Sequence, residues 1–496
     1  MVQNQPKSLK RPIIRHSAIV VGLLTLLGVA IRFSFIAKAS IWHDEAFSIM
    51  LASRNPFSIW ALTARDVHPP LYYELLHLWI NLFGRSELAV RSLSAVAGAA
   101  VIPIGYVVAK KAAGRRAGYF ALVFLALAPF LIRYSQEARM YGLLGLELLL
   151  ALWAVMNIVN KPRQFWAYAA FATTITAGLY THYFTVLAVF SLWAYLILLQ
   201  PFKQWRLEKT IWLSWRWWAA NIVALVLFLP WLPSMLAQLK RGQGLSWLQP
   251  TSTRTAFDTV WQFLTFTDGR LTNIAYWLVG LVVVAMMVWL WQGDKTKQRF
   301  TRLVVLYTAL PITIGIVVSL FKPVFHERYF AFAAIGFYIL LALMVDRIYR
   351  LNLWLAIVAG LLICAVEVVG IRNVYAQSNH QMRAEMAVLN DGFRPGDIIV
   401  SGELYTYFDS TYYNSTGQRL LLYTGVAGRP NGYGESSLIY DQNVYLDSYT
   451  EIPVGSRVWL VGKTGDRSYY SQVPASWQLQ QQSESGYSEV RHYLVK

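Results

Sequence analysis

Long apolar runs separated by short polar segments fill the first three quarters of the chain, and the pattern changes abruptly near residue 372. Eleven runs can be read, at about 17–36, 88–109, 117–132, 141–160, 166–181, 184–200, 218–236, 273–292, 303–321, 328–345 and 352–371. Several reach the roughly 20 helical residues that cross a hydrocarbon core. Beyond them Gly, Ser, Tyr and charge replace the Leu, Val and Ala runs. Strand-like segments at 397–400, 419–423 and 456–461, with a helical pattern over 380–390, predict a small α/β domain of about 120 residues. The expected fold is a polytopic α-helical membrane protein with about 11 transmembrane helices (residues 1–372) and a small C-terminal α/β domain (373–496).

Composition agrees. Of 496 residues, 56% are hydrophobic and 14% charged, against ~25% charged in soluble domains. Many of the 20 Trp and 29 Tyr stand beside run ends, as interfacial aromatic belts do. The first run is too long, and too polar at its end, for a cleaved signal peptide, so it reads as a retained anchor. The single cysteine, Cys364, lies in an apolar run, which excludes an intrachain disulfide and a Cys-based metal site and leaves a small packed hydrophobe.

The net charge of +18 invites a nucleic-acid partner, but its distribution argues otherwise. Twenty basic residues fall in six segments at alternate run boundaries: Lys7, Lys10, Arg11 and Arg15; Lys110, Lys111, Arg115 and Arg116; Lys161 and Arg163; Lys203, Arg206, Lys209 and Arg216; Lys295, Lys297, Arg299 and Arg302; Arg347 and Arg350. Only Glu208, Asp294 and Asp346 accompany them. This is the positive-inside pattern. It predicts a cytoplasmic N-terminus, an extracytoplasmic C-terminal domain and no nucleic acid.

The outward loops then hold most other ionisable groups near the membrane. The first, 37–87, carries Trp42-His43-Asp44-Glu45-Ala46 and the stretch from Asp66 through His68 to Tyr72 and Tyr73. Others carry Arg133, Glu137 and Arg139; His182; Ser246-Trp247-Leu248-Gln249-Pro250; and Lys322, His326, Glu327 and Arg328. A carboxylate at a membrane boundary is costly unless paired, hydrated or holding a cation. Moving a sugar off a lipid phosphate needs a base for the acceptor hydroxyl and cations for the departing phosphate. Asp44 is the candidate base; Glu45 orients it, or the two help hold a divalent cation such as Mg2+ or Mn2+. Arg133, Arg139, Lys322 and Arg328 are candidate phosphate ligands, with His182 and His326 as hydrogen-bonding or metal-binding alternatives.

Each feature has a structural rival. Asp44-Glu45 suits a helix N-terminus. The stretch Asp66–Pro70 suits a turn opening a helix, or together with Tyr72 a substrate contact. Arg133 and Arg139 could snorkel or pair around Glu137, and Glu327 could pair with Arg328. The triplet Asn414-Ser415-Thr416 matches a sequon by chance as easily as by design.

Read in order, Ile41–Ser48, Asp66–Tyr73, Phe83–Glu87, Arg91–Leu93, Tyr134–Tyr141 and Lys322–Tyr329 resemble the protein-mannosyltransferase-like (glycosyltransferase family 39-like) branch of the GT-C glycosyltransferase superfamily, over roughly 15–345. The resemblance implies an inverting enzyme of a bacterial plasma (inner) membrane. Its donor would be a polyprenyl-phosphate-sugar and its acceptor an extracytoplasmic glycan, lipid or protein. It maps an active-site acidic motif onto Asp44 and Glu45 and a second acidic position, with Asp44 a metal-ligand candidate, onto Glu137, where relatives have Asp. Two other classes compete. A flippase for lipid-linked glycans predicts mid-span polar breaks and repeated halves, and no internal repeat is evident. A scaffold anchoring the tail would need only one or two spans.

Overall fold

In a computed structural model the chain is described over residues 10–199, 210–241, 248, 250–252, 254–267, 273–293, 298–376, 381–425 and 427–496, with the backbone alone for 10–17, 199, 273–276, 298, 467 and 468. The side chains of the N-terminal basic segment, together with Lys203, Arg206, Glu208, Lys209, Asp294, Lys295, Lys297, Ser246, Trp247 and Gln249, lie outside the described residues. The chain folds into two compact units. One comprises Met1–Ser34, Ser94–Leu232 and Leu245–Tyr375; the other Phe35–Leu93, Pro233–Gly244 and Ala376–Lys496. The units are thus not two consecutive stretches: the loop expected to accompany the membrane part groups with the tail.

In the first unit every expected run is helical: α1 (Lys10–Phe33), α5 (Glu87–Ala113), α6 (Arg115–Leu127) with α7 (Pro129–Ser135), α8 (Tyr141–Asn160), α9 (Phe165–Thr181), α10 (Thr185–Leu199), α11 (Trp215–Phe228), α14 (Asn273–Trp291), α15 (Gln298–Ser319), α16 (Ala331–Leu351) and α17 (Leu353–Ala376). Among the described residues six helices are long and apolar enough to span a membrane, and a seventh if the bent pair α6–α7 is one span; three more are apolar but shorter. The expected count of eleven is therefore met as helices but not as spans by length. Composition marks an apolar run without showing how much of its length lies on one straight axis. The 55° bend of α6–α7 has a local cause: Ala128 precedes Pro129, takes φ −54° and ψ 102°, and leaves the helical region as residues before proline do. Gly114, at φ 107°, allows α5 to turn straight into α6.

The spanning part of α16 is 94% buried and that of α17 only 17%, so α16 is the central helix and α17 a peripheral one. Basic segments gather at one end of α8. Lys111 bonds Asn157, Arg299 donates to the Val159 carbonyl (3.0 Å), and Asp346 pairs with Arg116 (2.6 Å) and Arg350. Tyr141 stands at the other end, ~30 Å away along a 20-residue helix. Among the described residues, Glu147, bonded to Thr181 (3.1 Å), is buried within α8 and Glu367 within α17.

In the second unit, α2 (His43–Ala52), α3 (Pro56–Thr63) and α4 (Leu71–Phe83) form a helical loop domain. Asn55 caps α3 by accepting from the Ser58 amide (2.9 Å), with Pro56 at the first turn. Of the same unit, α12 (Leu232–Arg241) donates from Gln238 to the Thr63 carbonyl (2.8 Å). The tail is α/β: α18 (Met382–Gly392), β1 (Ile398–Ser401), α19 (Leu404–Tyr413), β2 (Leu420–Tyr423), β3 (Tyr445–Leu446), β4 (Arg457–Lys463), β5 (Gln478–Ser485) and β6 (Ser488–Leu494). The sheet order is β3-β2-β1-β4-β6-β5. Neighbours β3, β2, β1 and β4 are parallel, with Ile399 opposite both Leu420 and Trp459, whereas β6 runs antiparallel to β4 and β5. Val400, Val458, Leu460 and Tyr493 centre its core.

Candidate active site

The second unit holds the acidic motif. Helix α2 begins at His43, so Asp44 and Glu45 fall in its first turn, where the free amides and helix dipole favour anions. Both are buried, Glu45 completely. Glu45 is gripped by Arg91, with Nε at 2.7 Å from Oε1 and Nη2 at 2.6 Å from Oε2. Arg91 also donates to the carbonyls of Ile36 (2.8 Å), Ala39 (2.8 Å) and Ser40 (3.0 Å). Glu45 thus anchors the loop, and Asp44 stands next to it in the same turn. Asp44 Oδ1 is 2.9 Å from His43 Nε2, and the His43 ring lies 4.5 Å from that of Tyr405.

The tail adds acids that no sequence pattern marks. His43, Asp44 and Glu435 bring one ligand atom each within 4.8 Å of one another, close enough to hold a metal ion. Asp409, on α19, is buried beside them; burial first, then the charges of Glu45, Asp44, Glu403 and Glu435, push its carboxyl well above the ordinary range. The metal pair expected from the resemblance was Asp44 with Glu137. Glu137 pairs with Arg133 (2.6 Å), and the three-residue group is His43, Asp44 and Glu435.

The expected substrate contacts divide. Asp66 is buried and stands 3.5 Å from His68 Nδ1. Tyr72 is fully buried, its ring edge-on to Tyr73, so it serves the packing of α4.

Within the first unit the cationic candidates partly assemble. Arg139 is buried, and its carbonyl accepts from Ser94 (2.9 Å). The Arg328 guanidinium lies 5.8 Å from the ring centroids of both Tyr141 and Tyr329. The His182 ring lies 5.1 Å from that of Tyr329, tilted by 43°, and accepts from the Phe184 amide (3.2 Å). His326 accepts from the Arg328 amide (3.4 Å) and stands 3.3 Å from Glu327. Lys322 is exposed at the end of α15. The result is a cation beside a pair of aromatic rings whose centroids lie 6.3 Å apart, an arrangement that favours a positive charge.

Apolar helices packed around a central one, six or seven of them among the described residues long enough to cross a bilayer, together with an α/β tail, mark a multi-pass membrane protein with a second, sheet-bearing domain. Residues 67–233 match the family of dolichyl-phosphate-mannose-protein mannosyltransferases. Among curated proteins the chain is similar to the putative mannosyltransferase YkcB of Bacillus subtilis, 24% identical over 160 residues, which is 30% of this chain and spans about a fifth (22%) of that relative. Among solved structures it resembles ArnT from Cupriavidus metallidurans, with a TM-score of 0.65, 14% identity, and 95% of this chain and 97% of that one covered. The undecaprenyl phosphate-bound ArnT gives a TM-score of 0.64 at 12% identity, with the same coverage. The Archaeoglobus fulgidus oligosaccharyltransferase complexed with Zn and sulfate gives 0.51 at 11% identity, with 96% of this chain and 73% of that one covered.

Proposed function

We propose that the chain is a membrane glycosyltransferase that moves a sugar from a polyprenyl-monophosphate carrier to an acceptor outside the cytoplasm, a glycan, lipid or protein. The observation that carries this is Asp44: a buried carboxylate in the first turn of α2, beside a Glu45 already committed to Arg91. The undecaprenyl phosphate bound to ArnT supports the donor class, and the segregation of basic segments supports the side. Asp44 takes the proton of an acceptor hydroxyl as its oxygen attacks the anomeric carbon. The bond from that carbon to the phosphate oxygen breaks, and the phosphate leaves on its lipid. A single displacement of this kind inverts the anomeric centre. Arg328, beside Tyr141 and Tyr329, is the leading phosphate ligand, with Arg139 and His182 in the same unit as further candidates; Arg133, held by Glu137, serves mainly to shape the site. A divalent cation on the acidic cluster would supply positive charge there.

Purified protein given a polyprenyl-phosphate sugar and candidate acceptors should form glycosidic bonds, and Asp44→Asn should remove that activity while the unfolding temperature stays near wild type. Normal transfer by the Asn variant would remove Asp44 from the role of base. Lipid-linked glycan crossing vesicles without new glycosidic bonds would instead favour the flippase.

A further inference from the structure

Glu147 lies inside α8, a helix long and apolar enough to span a membrane, and no step of the proposed transfer uses it. A carboxyl at such depth is costly, and an ionisable group there marks a functional position by default. Glu147 is buried, and its Oε1 accepts from the Thr181 hydroxyl at 3.1 Å, while Oε2 has no hydrogen-bond partner among the described residues. Thr181 is the last residue of α9, and the next residue is His182.

The bond between Glu147 and Thr181 is unlike the other threonine bonds of α9. Thr174 and Thr176 donate back to carbonyls of their own helix, those of Ala170 (2.8 Å) and Ala172 (2.8 Å), as helical threonines commonly do. Thr181 donates across to α8 instead, so its hydroxyl ties the end of one helix to the flank of another. At His182 the chain leaves the helix for an extended conformation, φ −161° and ψ 136°, and its amide still bonds the Gly178 carbonyl (2.8 Å). Gly178 marks how closely three helices meet there. A Cβ on it would stand 2.9 Å from Thr185 Oγ1 on α10 and 3.3 Å from Leu148 Cδ2 on α8.

The direction of the His182 ring is therefore set by the last turn of α9, which Glu147 holds. Nδ1 of His182 accepts from the Phe184 amide, so in the neutral ring the proton is on Nε2, the tautomer that can donate to a phosphate oxygen. The same ring lies 6.4 Å from Tyr141 and 5.1 Å from Tyr329, the two aromatics beside Arg328.

We propose that Glu147 is a positioning residue for the donor phosphate, acting on His182 through Thr181. The inference rests on the glycosyltransferase reading, because it takes the cluster at Arg328 as the place of that phosphate. Glu147 touches no substrate; it fixes the turn from which His182 meets one.

Full-length protein in detergent, titrated calorimetrically with a sugar-free polyprenyl monophosphate, tests this without any transfer step. Glu147→Leu and Thr181→Val should each weaken binding about tenfold. Glu147→Gln keeps an acceptor for Thr181 and should bind within about twofold of wild type. Thr174→Val, the same change on the same helix away from Glu147, should leave binding unchanged. His182→Ala should also weaken binding, and adding Glu147→Leu to it should weaken it no further; a carboxyl that only stabilised the fold would give additive losses. Thermal unfolding identifies variants that have kept the fold, and Thr181→Val, which trades one hydroxyl for a methyl, decides if Glu147→Leu does not fold. Unchanged affinity in Thr181→Val, a loss in Glu147→Gln as large as in Glu147→Leu, or additive losses with His182→Ala overturn the proposal. Wild-type protein that binds the lipid phosphate but never transfers sugar sinks the glycosyltransferase reading and leaves the positioning role standing. Transfer by the wild type with unchanged binding in Glu147→Leu and Thr181→Val sinks the positioning role alone, and a wild type that does not bind the lipid phosphate sinks both.

Discussion

Arg91 reaches Glu45 across 46 residues and closes two parallel hydrogen bonds on it, at 2.7 and 2.6 Å, with both side chains buried. Breaking such a pair leaves a buried charge uncompensated and costs about 3–5 kcal/mol. Arg91→Ala should therefore unfold at a much lower temperature, and Arg91→Lys should recover little, because an ammonium cannot reproduce the fork. Replacing both partners, as Arg91→Leu with Glu45→Leu, should restore part of the loss, since no orphan charge remains. It will not restore all, because three carbonyls still lose their donor. Unfolding temperatures of the three proteins in one detergent check the order.

Arg328 offers a test aimed at the donor. Its guanidinium lies 5.8 Å from the rings of both Tyr141 and Tyr329 and can meet a phosphate with two parallel N–H groups. Arg328→Lys keeps the charge and loses the fork. A charged hydrogen bond is worth about 1.5–3 kcal/mol, so donor affinity should fall roughly 10- to 150-fold. Acceptor KM should stay near wild type. Equal loss toward donor and acceptor would point to a collapsed fold rather than a phosphate contact.

How much of this was legible in the sequence depends on where each signal resides. The helices of the first unit follow from apolar runs, because lipid and protein interiors both select such residues; the bend at Pro129 follows from proline. Asp44 stood out as a carboxylate at the end of a run. Arg91 was visible as a lone cation early in an apolar run, but nothing local named Glu45 as its partner. Glu435 and Asp409 carried no signal, since only the fold brings them to Asp44, more than 360 residues away in the chain. Strand β5, Gln478–Ser485, is polar and mostly exposed, so it lacks the alternation that marks a half-buried strand. Tyr72, an aromatic beside a motif, is fully buried with its ring edge-on to Tyr73, a degree of burial that its local sequence does not mark.

The tail should lose stability in acid through Asp397. Burial raises its pKa, but hydrogen bonds from Arg457 (2.8 Å), Trp459 (2.9 Å) and the Arg394 amide (3.0 Å) outweigh that and hold it below the ordinary value of 3.8. The folded domain thus binds this proton less readily than the unfolded chain does. Its contribution is full above pH ~4 and drains as pH falls through the depressed folded value. Asp397→Asn should lower the unfolding temperature of the tail at neutral pH and flatten its decline in acid. Unfolding followed at pH 7, 4 and 3 tests both parts; a variant whose acid limb stays as steep as wild type would assign that limb to other groups.

Gly370 tests whether α17, although mostly peripheral, is lodged against its neighbours at one point. A Cβ there would stand 2.5 Å from Pro129 Cγ and 2.7 Å from the Leu264 carbonyl oxygen. Neither can yield cheaply, since one belongs to a proline ring opening α7 and the other to the backbone of α13 (Thr255–Thr265). Overpacking of this kind costs about 1–3 kcal/mol, so Gly370→Ala should lower the unfolding temperature. Gly22, on α1, meets nothing within 4 Å, and Gly22→Ala should be neutral or raise it slightly through better helix propensity. Both substitutions add the same methyl group to a long apolar helix, so the difference between them isolates the contact. Equal shifts would mean that α17 moves aside freely at Pro129, and that the bend of α6–α7 is not braced from that side.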